Sequence, residues 1–263
     1  MATAVFFHAH PDDEAISTGG TMARMADAGH RVVLVTATGG ELGEVPEGLL
    51  GPGESLSERR ARELAAACAE LGVARQEFLG YRDSGMAGEP TNDDAASFWQ
   101  ADVDEAAGRL AAILEEEGAD VLVFYDEHGG YGHPDHIQVH RVGKAAGERV
   151  GTGRRYMATV NRDHMLELAG RADDVGLPMD DERRAFLDTL GERAERITTA
   201  VDVLAYVDHK RRAMRHHTSQ IGDTSFFLSM PAEAFAEVWG TEWYIRVDST
   251  PPAMEAGLVD GAR

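Results

Sequence analysis

Apolar runs with strand character alternate along this chain with longer stretches of helical periodicity. Val5–Phe7 reads as a short strand, and Thr18 to Ala28 as a helix with Met22, Met25 and Ala26 on one face. Arg31–Thr38 is a continuous β-branched run, the pattern of a strand buried on both faces of a parallel sheet. Ser57 to Leu71 is helical, with Leu64 and Leu71 turned inward and Gly72 as its stop. Glu77–Leu79 is a short strand, Asp102 to Glu117 a helix ended by Gly118, Asp120–Tyr125 a strand, and His136 to Val150 the next helix. Gly39 to Ser55 and Tyr81 to Ala96 read as long loops, a kind of segment that is more often functional than idle.

This alternation predicts an α/β fold: a doubly wound, mostly parallel sheet with helices on both faces, Rossmann-like in plan. One domain is expected over 1–263, with an α/β core at 1–150 and a less regular extension at 151–263. In the extension, Arg155–Val160, Ala200–Val203 and Trp243–Val247 are candidate strands, Asp208 to His217 a basic helix, and 250–263 a loose tail. Ligands bind outside the carboxyl ends of strands in such sheets, so the loops after Phe7, Thr38, Leu79 and Tyr125 are the ones to inspect.

Composition narrows the chemistry. The net charge of -21 repels phosphate backbones and anionic lipid surfaces, arguing against nucleic-acid and membrane binding. The single cysteine, Cys68, permits neither an intramolecular disulfide nor a thiolate zinc finger, and it reads as a packed small hydrophobe. The apolar opening Met1 to Phe7 is too short for a secretion signal, and a cytoplasmic location follows as the expectation.

Two clusters carry the chemistry. His8-Ala9-His10-Pro11-Asp12-Asp13-Glu14 follows the first strand and gathers two imidazoles and three carboxylates. Carboxylates so close repel one another unless a cation neutralises them. Asp126-Glu127-His128-Gly129-Gly130-Tyr131-Gly132-His133-Pro134-Asp135-His136 follows the strand ending at Tyr125. Two such clusters at the ends of two strands can converge on one divalent metal, and imidazole with carboxylate suits zinc or ferrous iron. Helix capping explains Asp12 and Asp13 but not His10 or the second cluster. His8 alternates with His10 and reads as structural, and Glu14 as orienting a ligand or the backbone. His128 and His140 are weaker ligand candidates. The run His209 to His217 reads as a solvated helix face, with anion gripping as its alternative. No dinucleotide fingerprint, phosphate loop, Gly-x-Ser-x-Gly elbow or deaminase cysteine pair is present.

On these two motifs, on Gly39-Gly40-Glu41-Leu42-Gly43-Glu44 and on Arg82-Asp83-Ser84-Gly85-Met86-Ala87-Gly88, the chain resembles the LmbE-like (PIG-L) family of metal-dependent N-deacetylases. The resemblance is good over roughly residues 4 to 145 and looser beyond, with Lys210 to Gln220 the most family-like later stretch. It implies that His10, Asp13 and His136 hold zinc, that Asp12 is the general base, that Tyr131 and His133 face the amide carbonyl, and that Asp135 orients His133. It implies substrate contacts by Glu44, Arg60, Asp83 and Met86. The likeness is strongest to the mycothiol-pathway members, implying deacetylation of a small amino-sugar conjugate such as N-acetylglucosaminyl-inositol. The alternative is an amidase of mycothiol-type S-conjugates or another small amide; those amidases tend to carry a lysine near Ser17, where this chain has serine. A phosphoesterase using the same metal is a weaker third reading, because only Arg60 and Arg82 offer positive charge nearby. The sequence is compatible with a homo-oligomer.

Overall fold

A computed structural model describes residues 1–171, 180–248 and 253–259. Seven strands form one sheet in the order β3-β2-β1-β4-β5-β7-β6. They are β1 (Thr3–His8), β2 (Arg31–Thr38), β3 (Arg75–Tyr81), β4 (Val121–Tyr125), β5 (Arg154–Thr159), β6 (Thr199–Asp202) and β7 (Thr241–Arg246). The first five run parallel, and β7 lies antiparallel to both β5 and β6. The α/β reading and the doubly wound plan are therefore observed. β2 and β4 are covered on both faces, as their uninterrupted apolar sequences require.

The main helices are α1 (Gly19–Asp27), α2 (Leu56–Leu71), α3 (Val103–Glu117) and α4 (Pro134–Val150), followed by α5 (Arg162–Gly170), α6 (Asp181–Leu187) and α7 (Val207–His216). α8 (Phe226–Ser229) and α9 (Ala232–Trp239) follow them. Right-handed crossovers put α1 and α2 on one face of the sheet and α3 and α4 on the other, because the chain steps outward from β1 to β3 and then returns past β1 to β4. α7 packs on α1 and α2, and α3 on α4. Local chemistry sets the boundaries. Ser55 and Glu58 form a reciprocal capping box on α2. The Asp102 carboxylate accepts from the Glu105 N–H at the start of α3, and left-handed Gly72, Gly118 and Gly151 end α2, α3 and α4.

Two expectations are corrected. The basic run on α7 is solvated only in part: Arg212, Arg215 and His216 are exposed, but Lys210 and His217 are wholly buried. Lys210 Nζ donates to Glu242 Oε1 at 2.5 Å and His217 Nε2 lies 2.6 Å from Glu14 Oε1, so each cation meets an interior carboxylate that the sequence run does not reveal. The tail is not loose throughout. Within 253–259, Glu255 exchanges backbone hydrogen bonds with Thr198 and Ala200, and Leu258 is buried; 249–252 and 260–263 lie outside the described residues.

The direction of chain progression reverses between β1 and β4, which are paired through Ala4↔Val121, Val5↔Leu122 and Phe6↔Val123. A crevice opens at the carboxyl ends of two strands at such a reversal. The two motif-bearing loops follow these strands.

Candidate metal centre and active site

Beyond β1 the chain turns sharply. Asp12 has φ 115°, the only positive φ outside glycine among the described residues. Its N–H donates to Glu14 Oε2 at 2.9 Å and its carbonyl accepts from the N–H groups of Ala15 and Ile16. A strained residue held by several bonds is a mark of a working site. Asp13 makes no side-chain cap for the π-helical turn Glu14–Thr18; its Oδ2 instead accepts from the His10 N–H at 2.8 Å.

The same Oδ2 stands 3.5 Å from His10 Nδ1 and 3.4 Å from His136 Nε2. Ligand atoms around tetrahedral zinc, each about 2.0–2.1 Å from the metal, lie about 3.3 Å apart. The far nitrogen of each ring is already engaged. His10 Nε2 lies 3.1 Å from Asp135 Oδ2 and 3.6 Å from Asp83 Oδ1, and His136 Nδ1 lies 3.1 Å from the Gly129 carbonyl. A carboxylate or carbonyl behind an imidazole is what fixes the tautomer and aim of a metal ligand. Gly129 has φ 60°, and a Cβ there would collide with His136, so only glycine lets its carbonyl reach the ring. The donor set fits a divalent cation. His133 lies beside it: one nitrogen each from His10, His133 and His136 fall within 4.8 Å of one another, as do atoms from His10, Asp83 and Asp135.

The electrostatics ask for positive charge. Burial opposes protonation of His10, yet Asp13, Asp135 and Asp83 together raise it well above its ordinary range. Burial opposes ionisation of Asp13, and His136 and His10 hold it well below the usual carboxylate range. Asp12 is pushed up to about 6 by burial, with Arg60 opposing. Burial, with His10 and His136 nearby, lowers His133 to about 4, which keeps that ring neutral at pH 7.

Tyr131 is half exposed, with its hydroxyl 3.5 Å from His136 Nε2. The Asp135 carboxylate reaches His10, while His133 Nδ1 accepts from the Asp135 backbone N–H at 3.1 Å. Arg60 is buried, with Nη2 3.2 Å from Asp12 Oδ2. Asp83 accepts from the N–H groups of Gly85 and Leu42. The side chains of Glu44 and Met86 stay exposed and are not brought to the metal cluster: the Glu44 carbonyl accepts from Gln220 and the Met86 carbonyl from Asn92. His8 bonds Tyr125 and Thr18, and Tyr125 stacks on His136. His140 bonds the Tyr125 carbonyl and His128 faces Glu192. Cys68 is buried, and burial pushes its thiol pKa up, away from nucleophilic use. Sequence reasoning gave no role to Ser84, whose N–H and hydroxyl both donate to Asp135; the adjoining Arg82-Asp83 motif was the available clue.

Fold and site together define a doubly wound α/β protein with a metal-capable His/Asp cluster at its switch point. Residues 5–147 match the family described as PIG-L, GlcNAc-PI de-N-acetylase. The chain is 43% identical over 267 residues to the 1D-myo-inositol 2-acetamido-2-deoxy-alpha-D-glucopyranoside deacetylase of Acidothermus cellulolyticus, covering 95% of this chain and 90% of that one. The chain belongs to the PIG-L family. Among solved structures, the N,N'-diacetylchitobiose deacetylase of Pyrococcus horikoshii superposes with TM-score 0.58 at 23% identity, covering 93% of this chain and 83% of that one. GalB, the 4-carboxy-2-hydroxymuconate hydratase of Pseudomonas putida, superposes with TM-score 0.58 at 18% identity, covering 95% and 97%. A hydratase among the neighbours means that the fold alone does not fix the reaction. Among the described residues, no helix is long and apolar enough to cross a membrane.

Proposed function

We propose that this protein is a zinc-dependent N-deacetylase that releases acetate from an N-acetylglucosaminyl-inositol conjugate. One observation carries the reading: the Asp13 carboxylate faces two imidazoles, each aimed by a partner on its far nitrogen, with Asp12 strained into place beside them. The reaction named for the relative that is 43% identical agrees with it.

His10, Asp13 and His136 would hold the metal. Bound there, zinc supplies polarisation of the amide carbonyl and acidification of water. Asp12 takes a proton from the attacking water and delivers it to the departing amine. Burial prepares Asp12 for this by raising its proton affinity, and Arg60 sets its position. The Tyr131 hydroxyl donates to the carbonyl oxygen as negative charge grows on it. His133 stands on the same side as a neutral ring, and Asp135, tied to Ser84, orients His10. Asp83, 3.6 Å from His10, and Arg60, 3.2 Å from Asp12, are assigned to the sugar subsite on that proximity; Glu44 and Met86 are exposed and make no contact with the cluster. Ser17 lines the cavity beside the cluster, and a serine here, where the family resemblance puts a lysine in the thiol-conjugate amidases, favours deacetylation.

The test is release of free amine from N-acetylglucosaminyl-inositol by metal-loaded and by chelated protein. Metal-dependent release is expected. Absence of release from protein shown to hold its metal rules out this substrate.

A further inference from the structure

A cavity of about 600 Å³ opens from the metal cluster, with Asp12, Asp13, Tyr131 and His136 in its wall. Away from the cluster its walls are apolar: Ile16, Met165, Leu168, Leu187, Phe227 and Trp239. The charged groups and two of the polar ones that reach it are engaged within the protein, while Ser17, Thr241 and the unpartnered indole N–H of Trp239 also belong to the lining. Lys210 and Glu242 neutralise each other at 2.5 Å, the Thr159 hydroxyl donates to Asp126 at 2.6 Å, and Asn161 caps α5. A sugar ring placed there would exchange water for carbon. Asp83, Glu41 and Arg60 are absent from this wall, and Asp83 approaches the cluster from the His10 side. The site is therefore divided, polar beside His10 and apolar beside His136 and Tyr131. An amide bond at the metal has one polar partner, the amino sugar, and one apolar partner, the acyl group. An acetyl methyl fills only a small part of this volume.

Resting on the amide-hydrolase reading above, we infer that the apolar cavity is an acyl-chain chamber, and that the enzyme accepts N-acyl amino sugars with acyl groups longer than acetyl. Hydrolysis is balanced as for acetyl: water adds across the C–N bond, the acyl group leaves as the fatty carboxylate, and the amine takes up the proton.

The experiment uses the metal-loaded full chain and a series of glucosaminyl-inositols bearing N-acetyl, N-butyryl, N-hexanoyl and N-octanoyl groups, read as free amine released. Removing a methylene from water favours binding by about fourfold, so kcat/KM is expected to rise at least about tenfold from acetyl to hexanoyl. A parallel arm carries the octyl chain as a glycoside on N-acetylglucosamine and is expected to show no such gain. Leu168→Trp, which shortens the chamber, lowers octanoyl turnover about tenfold more than acetyl turnover, with the melting temperature checking that the variant folds. Binding is read separately by fluorescence of Trp239 and Trp243 in chelated protein titrated with N-octanoylglucosamine, where a saturable change is expected. Release from acetyl that falls with every added methylene overturns the chamber and leaves the deacetylase reading standing. A gain in the glycoside arm alone overturns it in favour of an aglycone site. No release from any member overturns both readings together.

Discussion

His217 Nε2 lies 2.6 Å from Glu14 Oε1, joining side chains 203 positions apart that are both sealed from solvent. The other oxygen of Glu14 accepts from the Asp12 N–H. The end of α7 thus braces the turn that forces Asp12 into its left-handed conformation, and a residue far along the chain steadies the proposed base.

That brace has a stability signature. Burial disfavours the charged form of His217, and Glu14 overcomes it, so the imidazole pKa is raised above its ordinary value of 6.5. A raised cationic pKa gives stability that is complete below about 6.5 and fades as pH rises through the folded value. His217→Leu leaves a buried carboxylate unpaired, a change that typically costs about 3–5 kcal/mol. Denaturant unfolding across pH is expected to show the largest gap between wild type and variant below pH 6.5, narrowing in alkali. A gap that does not change with pH would mean that the pair contributes packing alone.

Asp12→Asn removes the proposed base and leaves His10, Asp13 and His136 in place. Positioned proton transfer contributes about 100- to 10,000-fold, so kcat is expected to drop at least 100-fold while metal content, read by elemental analysis, stays at the wild-type level. Full amidase rate in this variant contradicts the mechanism.

Metal binding couples to folding through the same cluster, because a cation relieves the crowding of Asp13, Asp83 and Asp135 around His10. Zinc at about 100 times its Kd stabilises a folded protein by about 2.7 kcal/mol. Thermal melts of chelated protein are expected to shift upward on adding zinc, and Asp13→Ala to lose most of that shift. An equal shift in the variant would place the metal elsewhere.

Much of this was legible in the sequence because it is local. β2 matches its sequence-based bounds because Arg31–Thr38 is uninterrupted and β-branched. α2 begins at Leu56, one residue before its expected start at Ser57, because Ser55 and Glu58 cap it; both chemical motifs sit directly after strands, where the sheet forces ligands to gather. What escaped is long-range. Lys210 and His217 look like surface charge until Glu242 and Glu14 are placed opposite them. The family resemblance implies that Asp135 orients His133, but in the first turn of α4 its carboxylate faces across the crevice to His10. The apolar chamber joins residues from α5, α6, α9 and the first loop, and no single segment announces it.

Tyr131 sits in a glycine-flanked turn with its hydroxyl near His136, its ring edge-on to that imidazole and its side chain in the cavity wall. Burial and the carboxylates Asp13 and Asp12 push its pKa up, so the hydroxyl stays protonated and able to donate at neutral pH. Tyr131→Phe is expected to lower kcat about 100-fold, the cost typical of losing one oxyanion donor, with little change in KM. A change confined to KM would make Tyr131 a substrate contact only.

The far end of the sheet offers a test of the fold independent of catalysis. Glu117, the last residue of α3, accepts from Arg31 at 2.6 and 3.1 Å and from Arg75 at 2.8 Å, tying α3 to the first residues of β2 and β3. Arg31, with Arg75, holds the Glu117 carboxyl down at about 2, from an ordinary 4.5. A lowered acidic pKa gives stability that is full above about pH 4.5 and lost as pH falls toward 2. Glu117→Gln should therefore be less stable than wild type at pH 7 and indistinguishable from it near pH 2. Arg31 is partly exposed, so salt at about 1 M should shrink the neutral-pH difference by screening the pair. Urea unfolding at pH 7 and pH 2, with and without salt, checks both statements. A difference that persists in acid would mean that Glu117 acts through its shape and not through its charge.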